Sequence, residues 1–270
     1  MYKNYLIIAS KQDKAGINIT TQLSQFQADN TKFSFYLVDD EIIYTENLDL
    51  EKISRYDFVI FASKHKSEKK EKTISIHAPG NWLSTSPQFG GVPGKFFKTS
   101  ALFLKKTFEK LEENINKFYL KDYRLTLECT HHGPLIKQPC MFIEIGSTEF
   151  EWGDRRVGFV LAKTISDTIE EFEKNPYREV AIGIGGPHYC PNFNKIQLNS
   201  NVAISHIIPQ YVLPLTEEMI KEAIFKTVEE DFEFVLLDWK GLGNSEQRRQ
   251  VTDILDKLKI RYERVSSIRK

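Results

Sequence analysis

The stretch Asp57-Phe-Val-Ile-Phe-Ala62 has no polar residue after its first position. A strand with one wet face alternates polar and apolar side chains; a run apolar on both faces is a central strand covered on both sides. Outward from it, Tyr5 to Ala9 is a second apolar run, and the helix-like stretch Asp13 to Phe26 follows, as in the first βα unit of an α/β domain. Phe33–Val38, Thr73–Ile76, Tyr123–Leu127, Met141–Ile145, Glu179–Ile184 and Phe232–Leu237 read as further strands, with Arg261–Val265 as an edge. Lys95–Phe118 is the clearest helix, because Phe97, Ala101, Leu104, Phe108, Leu111, Ile115 and Phe118 form one stripe. Helices are also predicted over Val157–Phe172, stopped by Asn175-Pro176, from Thr216 to about Glu229, and over Glu246–Leu258. No linker or repeat divides the chain. The expectation is a single α/β domain over residues 1–270, with a mixed central sheet and helices on both faces.

Lys and Arg total 37, Asp and Glu 37, so formal net charge is zero. A nucleic-acid partner must then be met by a local basic patch, and DNA is not expected. The opening M-Y-K-N-Y-L-I-I-A-S is too short an apolar run for a signal peptide or a membrane span, so a cytoplasmic protein with no membrane partner is expected. Cys129, Cys140 and Cys190 are odd in number and lack a C-x-x-C pair, which fits free thiols packed as small apolar groups.

Five of the six histidines lie where strand-like runs break into Gly/Pro turns: His65 in S-K-H-K-S, His77 in S-I-H-A-P-G-N-W, His131 and His132 in E-C-T-H-H-G-P, and His188 in G-G-P-H-Y-C-P. The sixth, His206, follows another apolar run in I-S-H-I-I-P. Histidines placed in this way point to one site assembled from several loops. Adjacent strand residues face opposite sides, so one of His131 and His132 is expected to face a ligand and the other to support it. Glu128 and Glu144 put carboxylates at neighbouring strand ends, the material of a general base or of a metal site. Gly185-Gly186 can point amides at a ligand, and F-G-G-V-P-G (89–94) leads into the long helix, whose N-terminus can hold an anion. The charge run Lys64–Lys72 reads as a solvated loop or as a flap facing phosphate.

Taken in order, S-K-H-K-S, I-H-A-P-G-N-W, F-G-G-V-P, E-C-T-H-H-G-P, F-I-E-I-G-S-T-E-F-E-W, G-I-G-G-P-H-Y-C-P-N-F and I-S-H-I-I-P resemble the signatures of the archaeal and plant type D-aminoacyl-tRNA deacylases. The resemblance runs along essentially the whole chain. Cys129 and Cys190 depart from it where small residues such as Ala are expected, and Asn194 where Thr is expected. It implies hydrolysis of the ester joining a D-amino acid to the tRNA end, zinc as cofactor, and a fold similar to peptidyl-tRNA hydrolase and purine nucleoside phosphorylase. Under it, His132, Glu128 and His188 are expected to be catalytic, and His131, His132, His188 and His206 to bind metal. His65, His77, Trp82, Tyr189, Phe193 and Lys95 are expected to line the substrate site, the aromatics by stacking; Lys64, Lys66, Lys69, Lys70 and Lys95 are candidates for phosphate. A monomer is expected. The alternatives are another hydrolase of the same fold, such as a peptidyl-tRNA hydrolase or zinc peptidase, or a non-catalytic tRNA-binding protein.

Overall fold

Six strands of the computed structural model, β1 (Tyr5–Ser10), β2 (Phe33–Val38), β3 (Phe58–Lys66), β4 (Thr73–His77), β5 (Arg124–Leu127) and β6 (Cys140–Ser147), form one sheet in the order β2-β1-β3-β6-β4-β5. β4 runs antiparallel to β6 and the other pairs are parallel, so the sheet is mixed, as expected. Beside it stands a second sheet that the sequence reading did not separate: β7 (Glu179–Ile184), β8 (Val202–Ile208), β9 (Phe232–Leu237) and β10 (Tyr262–Arg264), all parallel, ordered β10-β9-β7-β8. The structure describes residues 2–27, 31–45, 48, 50–82, 90–172, 179–228 and 230–269. Phe89, Asn175-Pro176 and Glu229 lie outside them.

The helices are α1 (Lys14–Leu23), α2 (Leu50–Ile53), α3 (Ala101–Lys117), α4 (Glu149–Trp152), α5 (Arg155–Glu171), α6 (Pro191–Asn199), α7 (Glu217–Phe225) and α8 (Ser245–Lys257). One face of the first sheet, with Ile7, Ala9, Phe58, Ile60 and Ala62, packs on α1, α3 and α5 through Ile19, Leu23, Phe103, Phe108, Leu161 and Ile165. The same cluster continues into Ile204, Phe234 and Leu236, so α3 and its neighbours join both sheets. The other face, with Leu6, Ile8, Val59 and Phe61, is covered by Ile42, Leu48, Ile53, Phe97 and Ile136, most of them from turns and extended chain. Phe58 and Phe61 are fully buried on opposite faces of β3, and truncating either to Ala costs about 3–5 kcal/mol. None of the helices found among the described residues is long and apolar enough to cross a membrane.

The long helix begins at Ala101, not Lys95. Residues 95–100 are extended, with Phe96 bridged to Gly80 and Thr99 to Thr227, because Phe97 is drawn across the far face of the first sheet. Its N-terminus is closed by the chain itself: Ser100 Oγ accepts from Phe103 N at 3.0 Å, and the Glu230 carboxylate accepts from Ala101 N at 2.7 Å, Leu102 N at 3.2 Å and the Ser100 hydroxyl. The anion site expected there is thus filled by Glu230. Glycines on both sides of the helix in sequence serve close packing. A Cβ on Gly90, whose φ is +67°, would sit 1.5 Å from Ile43 O, and one on Gly133 would sit 2.3 Å from Gly91 N.

Candidate active site

β3 carries the first histidine on a strand, not on a flap: His65 pairs in register with Gly146 of β6. Asp13, N-cap of α1, fixes that strand end, since its Oδ2 accepts from Lys64 N at 2.8 Å and from Ser63 Oγ at 3.2 Å. β4 ends at His77, β6 supplies Glu144, and Glu128, His131 and His132 follow β5. His188 comes from the turn after β7, which is tied to that segment by Cys129 N donating to His188 O at 2.9 Å. Five histidines and two glutamates from both sheets therefore meet in one place.

Glu128 is the hub. Its Oε1 lies 3.1 Å from His65 Nδ1, and its Oε2 lies 3.1 Å from His188 Nε2 and 3.4 Å from His131 Nε2. Glu144 faces His65 Nδ1 at 3.6 Å, His77 Nε2 at 3.8 Å and His132 Nε2 at 3.9 Å. Both carboxylates are 2% exposed or less. Burial pushes their pKa up, yet the surrounding imidazoles outweigh it and hold Glu128 well below the carboxylate range and Glu144 below it.

The imidazoles divide. Burial pushes His65 and His188 down, but Glu128 and Glu144 raise His65, and hydrogen bonds to Cys129 and Glu128 raise His188 to about 10. His131 and His132 move the other way. Burial, then the neighbouring imidazoles, hold His131 well below its ordinary value and take His132 to about 4. Two carboxylates thus face one imidazolium, His188, and one imidazole shifted toward its charged form, His65, beside His131 and His132 shifted toward the neutral form. Separated pKa values within one cluster are the mark of assigned acid and base roles.

His131 and His132 do not face opposite sides as adjacent strand residues would. His132 has φ +42°, which breaks the alternation and leaves the two rings 4.4 Å apart, each within 5 Å of the His77 ring. All three are oriented alike: Nδ1 of His77 faces Ala78 O at 3.2 Å, that of His131 Cys129 O at 2.7 Å, and that of His132 Gly133 O at 2.8 Å. A carbonyl only accepts, so Nδ1 carries the proton and Nε2 presents its lone pair to the cluster.

Other expected residues lie elsewhere or play other parts. His206 is fully buried within β8, its Nδ1 3.2 Å from Thr130 Oγ1 and its ring beside Trp82 and Phe96; it joins none of the potential ligand groups found among the described residues. Trp82 is 5% exposed and donates its indole N–H to Thr130 O, and Phe193 is fully buried against Gly183, so neither offers a stacking face. Lys95 is exposed in a cavity lined by Trp82 and α7 residues, apart from the histidines. Tyr189 is in the site, its hydroxyl 2.7 Å from His65 Nε2. Gly185 N and Gly186 N donate to Ile208 O and Gly241 O, so neither glycine amide is left for a ligand. Cys129 Sγ lies 3.3 Å from His188 Nδ1 and 3.0 Å from the Tyr211 hydroxyl, a closer role than apolar filling. Tyr211 has no motif around it and was invisible in the sequence.

A family model described as D-aminoacyl-tRNA deacylase matches residues 53–263. The chain is 34% identical to a D-aminoacyl-tRNA deacylase of Pyrococcus furiosus, over 95% of this chain and 98% of the relative. It is 30% identical to one of Methanocaldococcus jannaschii, over 97% and 99%. The crystal structure of a conserved protein of unknown function superposes with a TM-score of 0.87 at 30% identity, covering 98% of this chain and 96% of that one. This chain belongs to the D-aminoacyl-tRNA deacylase family.

Proposed function

We propose that the protein hydrolyses the ester bond of D-aminoacyl-tRNA, releasing the D-amino acid and tRNA. The observation that carries this reading is the buried Glu128 holding His65 and His188 beside the neutral His131 and His132, in a chain of this family. An aminoacyl ester is an activated acyl group, so its hydrolysis needs a positioned water, a base, and stabilisation of the tetrahedral oxyanion. His188, whose side chain is 34% exposed, presents imidazolium charge to the developing oxyanion, and its Nδ1–H, turning from Cys129 Sγ, gives the proton to the departing ribose oxygen. Neutral His131 and His132 keep a lone pair at Nε2 that faces the cluster, and the proton shed by the attacking water replaces the one that His188 gives up. Water adds to the carbonyl carbon, the ester C–O bond breaks, and the ribose leaves as its hydroxyl.

Zinc fits the same imidazoles. His77, His131 and His132 place one nitrogen each within 4.8 Å of one another, and His77 Nε2 is buried with no hydrogen-bond partner. Nε2 lone pairs oriented by Nδ1–H···O=C bonds are the usual preparation of a zinc ligand. When bound, zinc supplies Lewis acidity toward the ester carbonyl. We assign these three as its ligands in place of the His206-containing set, and read residues 1–270 as one domain of a cytoplasmic monomer.

The test compares D-tyrosyl-tRNA, L-tyrosyl-tRNA and an N-blocked aminoacyl-tRNA. Preference for the D ester supports the reading. Preference for the blocked substrate transfers the site to peptidyl-tRNA hydrolysis, and tRNA binding without turnover makes it a binding protein.

A further inference from the structure

Two cavities open on either side of the histidine cluster and share His65, Lys66 and His188. Their walls differ in chemistry. The first, of about 510 Å³, has Lys66, Lys69 and Arg124 around Tyr189, with Glu68 as its one carboxylate. The Arg124 guanidinium lies 5.7 Å from the Tyr189 ring and 3.4 Å from the half-exposed Glu71 carboxylate, and Lys66 and Lys69 are exposed. Cations beside an aromatic face suit phosphates and a base.

The second, of about 390 Å³, reaches His131, His132 and Glu144 and is closed by Glu41, Ile43 and Tyr44. Lys64 on that side is already paired with Glu41 at 2.6 Å. Tyr44 is 51% exposed, a large ring left in the open at a cavity mouth. Such a volume exceeds the roughly 300 Å³ at which pockets begin to enclose small ligands. The wall is held in place by the glycine turn: Gly90 lies against Ile43 O too closely for any Cβ, and Asn81 Nδ2 donates to Gly90 O at 2.9 Å.

We propose that the Ile43–Tyr44 cavity receives the aminoacyl group, and that the Lys66, Lys69, Arg124 and Tyr189 cavity receives the 3′-terminal nucleotides. The ester then lies at the junction, beside His65 and His188. This assignment rests on the deacylase reading and adds what each side of the site selects. Side-chain preference belongs to Ile43 and Tyr44; RNA affinity belongs to the cationic side.

The experiment measures kcat/KM for D-tyrosyl-tRNA and D-alanyl-tRNA at several salt concentrations. Tyr44→Ala is expected to change the ratio of the two substrates about tenfold and to leave the salt dependence alone. Gly90→Ala, which displaces the same wall from behind, should move the ratio too. Lys69→Ala and Arg124→Ala are each expected to lower kcat/KM for both substrates equally and to reduce the salt slope by about 0.7. An unchanged ratio in Tyr44→Ala and Gly90→Ala overturns the assignment, as does a ratio changed by Lys69→Ala or Arg124→Ala. A wild-type protein inactive on both esters overturns the deacylase reading instead.

Discussion

Glu128 and His188 form a pair, Oε2 to Nε2 at 3.1 Å, in which a buried carboxylate that also faces His65 joins Cys129 in keeping a partly exposed imidazole cationic. Glu128→Gln removes the charge and keeps the shape. His188, held at about 10 in the native protein, then falls toward the ordinary imidazole value of 6.5. If the reaction uses the cation, the alkaline limb of the rate profile moves down with it, and kcat at pH 8 drops by up to about 30-fold, the loss of protonated His188 at that pH. Histidine NMR titration of wild type and variant checks the cause. A variant whose His188 still titrates near 10 would contradict the pairing. Breaking a fully buried pair costs about 3–5 kcal/mol and this pair, with His188 a third exposed, costs less, so the melting temperature is measured alongside.

The zinc assignment separates His206 from His77 and His131. His77→Ala and His131→Ala, loaded with zinc and desalted, are expected to retain less metal per chain than wild type, whereas His206→Gln keeps the full amount. Elemental analysis gives the answer without an activity assay. Equal zinc in all four proteins, or loss in His206→Gln alone, would refute the ligand set.

The helix N-terminus filled by Glu230 makes a purely structural prediction. Glu230→Gln leaves the three donors of Ser100, Ala101 and Leu102 a neutral acceptor and removes a charge from the positive end of α3. Urea unfolding should show a loss of about 1–2 kcal/mol, with kcat/KM unchanged. A variant as stable as wild type would mean that the capping pair contributes nothing.

How far the sequence showed all this depended on what each residue's neighbours revealed locally. β3 was legible because five consecutive apolar residues admit one reading, and the clustering of five histidines was legible from their repeated strand-end context. The start of α3 was misplaced because Phe97 and Ala101 fall in the helical stripe by spacing alone, while Phe97 packs on the opposite side of the sheet. α6 was missed, since Pro-Asn-Phe-Asn-Lys-Ile-Gln-Leu-Asn buries Phe193 and Ile196 without a long stripe. The partition of the imidazoles into charged and neutral had no sequence signal: it arises from which ring meets Glu128, which meets a carbonyl, and the positive φ of His132. His206 was drawn into the metal set by its resemblance context, although it lies within β8 with no glycine turn beside it. Glu41, Ile43, Tyr44 and Tyr211 reach the site from segments with no motif.

His206 makes the last prediction, one of stability against pH. Burial between Trp82, Phe96 and Thr130 holds its pKa at about 3, against 6.5 ordinarily. A depressed folded value means that the unfolded chain binds the proton first. The full contribution of neutral His206 is therefore present above pH 6.5 and is lost as pH falls toward 3, at up to about 1.4 kcal/mol per pH unit. His206→Gln keeps a polar side chain of similar reach and does not titrate there. Its unfolding free energy should start below wild type at pH 7, from imperfect packing, and then fall less steeply, so the two curves converge under acid. Every other titrating group, His132 at about 4 included, is common to both proteins and cancels in the difference. Parallel curves from pH 7 to pH 4 would show that His206 takes up no proton on unfolding, against the burial that the structure gives it.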